Sequence, residues 1–312
     1  MTMENLENNR HCIFCQKKEK EFEKDNMFTE EHIVPFSLGN RILKTNDVCK
    51  KCNSGLGTYV DNYVLDNMII KMLRQIYKLP GQSGKIPNPF SKGKDKDGNT
   101  VFLDDSFVPR LQEYKEENGN RIHIVAPSRD KAKTMVKKTL ERKGVSKDQI
   151  EETVSKIDKM DSKKYQPEVN YELEIDINRF KLEALKIAYE YAIDVLKDKY
   201  EKDPKCKEIR EILQKGINGE YKEVCPDIPM VSQMDPTLFK TISRIPFPCH
   251  VVMIHPDAQG YLIAQISLFV EECFSYSVLI SEKACDYQVN EDNFTIIDIN
   301  GTGEGNNLNF SI

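Results

Sequence analysis

Apolar and polar positions alternate in a regular way along three long segments of the chain. Over residues 180–197, Leu182, Leu185, Ala188, Tyr189, Ala192 and Leu196 share one face of a helix. Over 59–79, the apolar residues Val60, Tyr63, Val64, Met68, Ile69, Met72, Leu73 and Ile76 recur at roughly helical spacing and predict a second helix. Residues 249–254, 261–270 and 275–280 are three apolar, β-branched runs separated by short connections, the pattern of an antiparallel meander. Weaker signals predict strands over 27–35 and 41–48, a helix opening through Asn53 and Ser54, a strand over 121–125, helices over 128–143 and 146–160, a strand over 171–177 and a helix over 204–214. Residues 80–99 are rich in Gly, Pro, Ser and Lys and mark a domain boundary. The expected fold is α+β: a small strand–strand–helix module in residues 1–80, then a larger α/β region, 81–312, with a sub-boundary near 165 and a closing β meander.

Composition narrows the class. With 312 residues, 39% hydrophobic and 30% charged, the chain can bury a substantial core. A net charge of −5 argues against a globally basic nucleic-acid binder and leaves room for a local basic face. The best local candidate is 129–164, with twelve Lys or Arg against seven Asp or Glu, although such a run is more simply a solvated helical surface. Residues 1–10 hold no apolar stretch that could act as a signal peptide, and no run reaches the ~18 apolar residues of a membrane span. Nine cysteines is an odd count. Cys206, Cys225, Cys249, Cys273 and Cys285 are scattered, which suits reduced, buried thiols in a cytoplasmic protein.

The other four cysteines are paired with two residues between them, Cys12/Cys15 and Cys49/Cys52. Each pair presents both sulfurs to one metal, so the four predict a tetrahedral zinc site. Between and beside them stand Glu30-Glu31-His32, Asn46 and Asn53. A histidine can take a proton from water near neutral pH, and carboxylate and amide oxygens are hard ligands suited to Mg²⁺ or Mn²⁺. Together these groups can hydrolyse a phosphodiester. His123, His250 and His255 lack such company and read as strand or packing residues.

The stretches CIFC, EEHIVPFSLGN and TNDVCKKCNSGLG, in that order, resemble the HNH nucleases of the ββα-metal superfamily in their four-cysteine form. The resemblance covers roughly residues 10–75. It implies that the first module is a ββα-metal fold stabilised by zinc, with Glu31 as the acid on the catalytic cation and His32 as the general base. It further implies Asn46 as the central asparagine that braces the loop and Asn53 as the last cation ligand. The family more often has Asp or His where Glu31 stands, so Glu30 remains open as the ligand. The implied activity is metal-dependent cleavage of DNA, by a monomer or a homodimer, in a setting such as phage defence or restriction. The alternative is a non-catalytic, zinc-stabilised nucleic-acid-binding protein. Residues 81–312 carry no phosphate-binding glycine loop and are expected to serve as a sensor or specificity region.

Overall fold

A computed structural model describes residues 10–96, 98, 100–104, 106, 108–111, 113–118, 121–126, 128–160, 168–220, 228–289 and 293–300. Residues 1–9, 161–167 and Cys225, named above, lie outside the described residues, as do residues 301–312.

The chain opens with the first cysteine pair in a tight turn, then pairs strand β1 (Phe28–His32) antiparallel with β2 (Lys44–Cys49). Helix α1 (Lys50–Leu56) follows directly and runs through a π-helical turn, Gly57–Asp61, into α2 (Asn62–Asp66). The helix expected over 59–79 is broken at Asn67, whose extended backbone and side chain cap α3 (Met68–Ile76) through the Ile69 amide. Local hydrogen bonding by asparagine wins there over apolar periodicity.

The next segment forms a unit of its own, 88–174. Strands β3 (Gly93–Lys94), β4 (Thr100–Leu103) and β5 (Pro109–Leu111) make one small antiparallel sheet. Strands β6 (Tyr114–Asn118) and β7 (Arg121–Val125) make a hairpin, and α4 (Arg129–Arg142) and α5 (Lys147–Asp158) pack together. Ser128 caps α4 by accepting from the Lys131 amide, as its position predicts. The strand expected over 171–177 does not form. Only Asn170 bridges to Lys94, and Asp176 instead caps the next helix.

That helix, α6 (Ile177–Leu196), returns the chain to the first unit, which comprises 1–87 and 175–312. Helices α7 (Asp198–Glu201) and α8 (Pro204–Ile217) follow. Then come β8 (Val231–Gln233), α9 (Pro236–Ile242), β9 (Cys249–Pro256), β10 (Leu262–Ser267), β11 (Ser275–Ser281) and β12 (Phe294–Asp298). The five strands form one antiparallel sheet in the order β12-β9-β10-β11-β8, with the expected meander at its centre. No helix among the described residues is long and apolar enough to cross a membrane.

A single cut near residue 80 therefore does not describe the chain. Phe14, Ile33, Val48 and Leu56 of the ββα module share one core with Leu182, Leu185 and Tyr189 of α6 and Val252, Ile266 and Val278 of the sheet. Helix α6 is buried nearly all round, from Arg179 to Ile193, including its charged residues Glu183, Lys186 and Glu190. The side opposite its apolar face is buried as well. The contact between α1 and α8 is closer still: a Cβ on Gly55 would stand 2.5 Å from Ile217 Cγ2 and 2.6 Å from the Ile217 carbonyl oxygen. Gly55→Ala is expected to destabilise the protein by about 1–3 kcal/mol through overpacking, read by urea denaturation. An unchanged midpoint would contradict this packing.

Candidate active site

The cysteine site is preformed by hydrogen bonds. Cys12 and Cys15 sit in a turn closed by Gln16 N donating to Cys12 O at 2.8 Å, and Ile13 N donates to Asp47 O at 2.9 Å. The second pair arrives at the end of β2, where Cys49 N donates to Cys12 Sγ at 3.3 Å. All four sulfurs lie within 4.8 Å of one another, and those of Cys15 and Cys49 are 3.8 Å apart. Tetrahedral Zn–S bonds of about 2.3 Å place sulfurs about 3.8 Å apart, so this cluster can hold zinc. Its thiols also show what a cation would relieve. Cys15 is pulled down to about 2 by hydrogen bonds from Cys12 and Cys52, while Cys12 is pushed up to about 12, above all by its bond to Cys15. Cys52 is also raised, by its bonds to Cys12 and Cys15.

The loop between β1 and β2 is built on Asn40. Its side chain is fully buried: Nδ2 donates to Val34 O and Leu43 O, both at 2.7 Å, and Oδ1 accepts from Ile42 N at 3.1 Å and Leu43 N at 2.9 Å. From outside, His250 Nε2 donates to Leu38 O at 2.8 Å while Nδ1 accepts from Phe269 N at 2.9 Å, so the ring is neutral. Burial pushes its pKa down to about 4. Asn46 does none of this. It is exposed on β2, and Arg10 binds its carbonyl. The loop-bracing geometry expected at Asn46 is therefore found at Asn40.

At the end of β1, an irregularity in the β1–β2 register between Thr29 and Glu31 redirects the side chains. Glu31 turns inward and is 6% exposed; Glu30 turns out and meets Lys44 Nζ at 3.0 Å. His32 is half-buried, its ring edge-on to Phe36 at 5.4 Å between centroids, with Nε2 3.9 Å from Glu30 Oε1. Burial first, then the charge of Lys44, holds its pKa below the usual imidazole value. Arg41 lies over Phe36 at 3.6 Å, beside the histidine. Asn53, in the first turn of α1, donates through Nδ2 to Thr29 Oγ1 (3.1 Å) and Glu30 O (2.9 Å), and among the described residues its Oδ1 accepts no hydrogen bond. Glu30, Glu31, His32, Asn53 and Asp61 line one open cleft of about 510 Å³.

Sequence reading missed Asp61 and Lys186. The π-helical turn carries Asp61 into the cleft wall, and Lys186 Nζ lies 2.9 Å from Glu31 Oε1, 3.3 Å from Asp61 Oδ1 and 3.6 Å from Glu190 Oε2. It also donates to His32 O at 3.2 Å. Burial opposes its charge, but Asp61, Glu190 and Glu31 outweigh burial and raise its pKa well above the usual value. Burial raises Glu31, Glu183 and Glu190. The available signal was the spacing Glu183, Lys186, Glu190, three charged residues three or four positions apart on one helix. Of the scattered cysteines, Cys206 and Cys249 are buried fillers, whereas Cys273 and Cys285 are exposed on short 3₁₀ turns.

Residues 12–69 match the family model for HNH endonucleases, which spans the first cysteine pair, β1, β2 and the helices up to the start of α3. No curated protein and no solved structure matches the chain.

Asn40→Ala is expected to cost about 2–4 kcal/mol, since it removes several buried hydrogen bonds worth about 1 kcal/mol each. Asn46→Ala, on an exposed strand position, is expected to stay within about 0.5 kcal/mol of the parent. Equal effects in chemical denaturation would contradict the assignment.

Proposed function

We propose that the chain is a metal-dependent endonuclease acting on DNA, with His32 as the general base. The supporting observation is that His32, Glu31 and Asn53 line one cleft inside the stretch that matches the HNH endonucleases. His32 takes a proton from the attacking water. Phe36 fixes the ring against its edge, and the lowered pKa keeps the imidazole unprotonated at neutral pH. Glu31 and Asn53 would hold Mg²⁺ or Mn²⁺; the donors present are hard oxygens, and the free Oδ1 of Asn53 fits that chemistry. The bound cation supplies positive charge near the leaving 3′-oxygen. Arg41 and Lys44, both close enough to act on the charge of His32, offer contacts to the phosphates of the substrate. Cleavage by this route leaves a 5′-phosphate. The four cysteines hold a zinc ion that fixes the first turn to the start of α1.

One observation favours a second reading, a non-catalytic zinc-stabilised nucleic-acid-binding protein: Glu31 is buried and already paired with Lys186. That protein binds DNA in a salt-sensitive way without turnover, and EDTA leaves binding unchanged.

Plasmid cleavage separates the two. The full chain with Mg²⁺ or Mn²⁺ is expected to cut, EDTA to abolish cutting, and His32→Ala to lower the rate by at least about 100-fold. Absence of cutting, or equal cutting by His32→Ala, would overturn the nuclease reading. Elemental analysis is expected to find about one zinc per chain, and Cys52→Ser to lose both zinc and cooperative unfolding. A zinc-free parent protein would contradict the structural role of the cysteines.

A further inference from the structure

Among the groups that the nuclease reading leaves unused, Lys186 has the most connections. Its side chain has no exposure to solvent, and three carboxylates lie within 3.6 Å of its Nζ. An ammonium has three N–H donors. The closest oxygens available to them are Glu31 Oε1, the His32 carbonyl and Asp61 Oδ1, at 2.9, 3.2 and 3.3 Å. Glu190, at 3.6 Å, contributes charge to the cluster. The ammonium thus holds the two motif residues at the end of β1, through the Glu31 carboxylate and the His32 carbonyl, and meets Asp61 on the π-helical turn as an opposite charge without a hydrogen bond to its Oδ1.

We propose that Lys186 is a positioning residue for the active site: it holds the Glu31 carboxylate and the backbone of His32 in place, so that the site is complete only when α6 is docked on the ββα module. The proposal rests on the nuclease reading and adds a part that the motif does not contain. Geometry carries it. A lysine needed only to fill space could be replaced by an apolar side chain without the cost of burying an ion. This one pairs with the carboxylate of the residue before the general base and donates to the base's own carbonyl. Helix α6 begins at Ile177, directly after the 88–174 unit, so the working site is drawn from two segments of chain separated by that insertion. A fragment ending near residue 80 retains every motif residue and lacks the lysine that orders two of them.

The test uses the full chain and a DNA duplex of fixed sequence, with kcat, KM for DNA, the half-saturating Mg²⁺ concentration and zinc content as readouts. Lys186→Met alone would leave carboxylates unpaired in the interior. Lys186→Met with Glu190→Leu removes one charge of each sign, and Lys186→Gln, neutral and shorter, is a second route. Glu190→Leu alone serves as the packing control. In variants that keep their zinc, kcat is expected to fall about 10–100-fold and the half-saturating Mg²⁺ to rise about tenfold, with KM for DNA unchanged, because supports behind metal ligands act at this scale. The control is expected to keep parental kinetics. Parental kcat and Mg²⁺ dependence in either zinc-loaded Lys186 variant would overturn the proposal. So would loss of zinc from both, which marks Lys186 as a general folding residue. A parent protein that does not cut, alike with and without His32, refutes the nuclease reading itself; a cutting parent with unaffected Lys186 variants refutes only the positioning role.

Discussion

The structure depends on one buried ammonium and the carboxylates around it. Removing an ion from water costs several kcal/mol even after relaxation, and that cost is offset only by close, well-directed partners. Lys186 has them in the Glu31 carboxylate and the His32 carbonyl, and the charge of Asp61 stands 3.3 Å away. Glu183 and Glu190 lie deeper, without hydrogen-bond partners for their oxygens, and burial raises their pKa values. The cluster spans three segments of the chain. It ties the end of β1, the π-helical turn and α6 together, and α6 in turn lies on the five-stranded sheet with its apolar face in the common core.

The short β1–β2 module is too small to hold His32 still by its own packing, and the supports come from every side. The cysteine cluster fixes the first turn to the start of α1. Asn40 closes the intervening loop, and His250 from the sheet holds that loop through Leu38. From α6 and α8, Lys186 and Gln214 reach the carbonyls of His32 and Phe14. Each support is a hydrogen bond to backbone or to a buried polar group, the class of contact most costly to leave unmade. The cleft holding His32 is open, and Arg41 and Lys44 lie close enough to the ring to act on its charge.

Much of this was legible in sequence because short-range chemistry determines it. Two cysteine pairs at metal spacing, a histidine after an acid and three β-branched runs need no tertiary context to be read. The remainder required it. Asn46 and Asn40 are six positions apart and chemically identical; only the fold shows that one faces solvent on a strand and the other is enclosed by four backbone groups. Strand alternation alone leaves Glu30 and Glu31 open as ligands, and the register irregularity in β1 is what sends Glu31 inward. Lys186 escaped notice because a charged residue on a helix usually faces water, and here the helix is covered on both sides. Nesting of the 88–174 unit within the other was invisible for the same reason: local signals mark where chain breaks fall, not which pieces share a core.

The most direct test of a metal-dependent site in this cleft is anomalous diffraction from crystals of the full chain soaked in Mn²⁺, recorded at the zinc and manganese absorption edges. The expected result is a zinc peak among the sulfurs of Cys12, Cys15, Cys49 and Cys52, and a separate manganese peak in the cleft lined by Glu31, His32 and Asn53. A zinc peak with no manganese in the cleft at saturating Mn²⁺ would contradict the nuclease reading and leave a zinc-stabilised binding protein in its place.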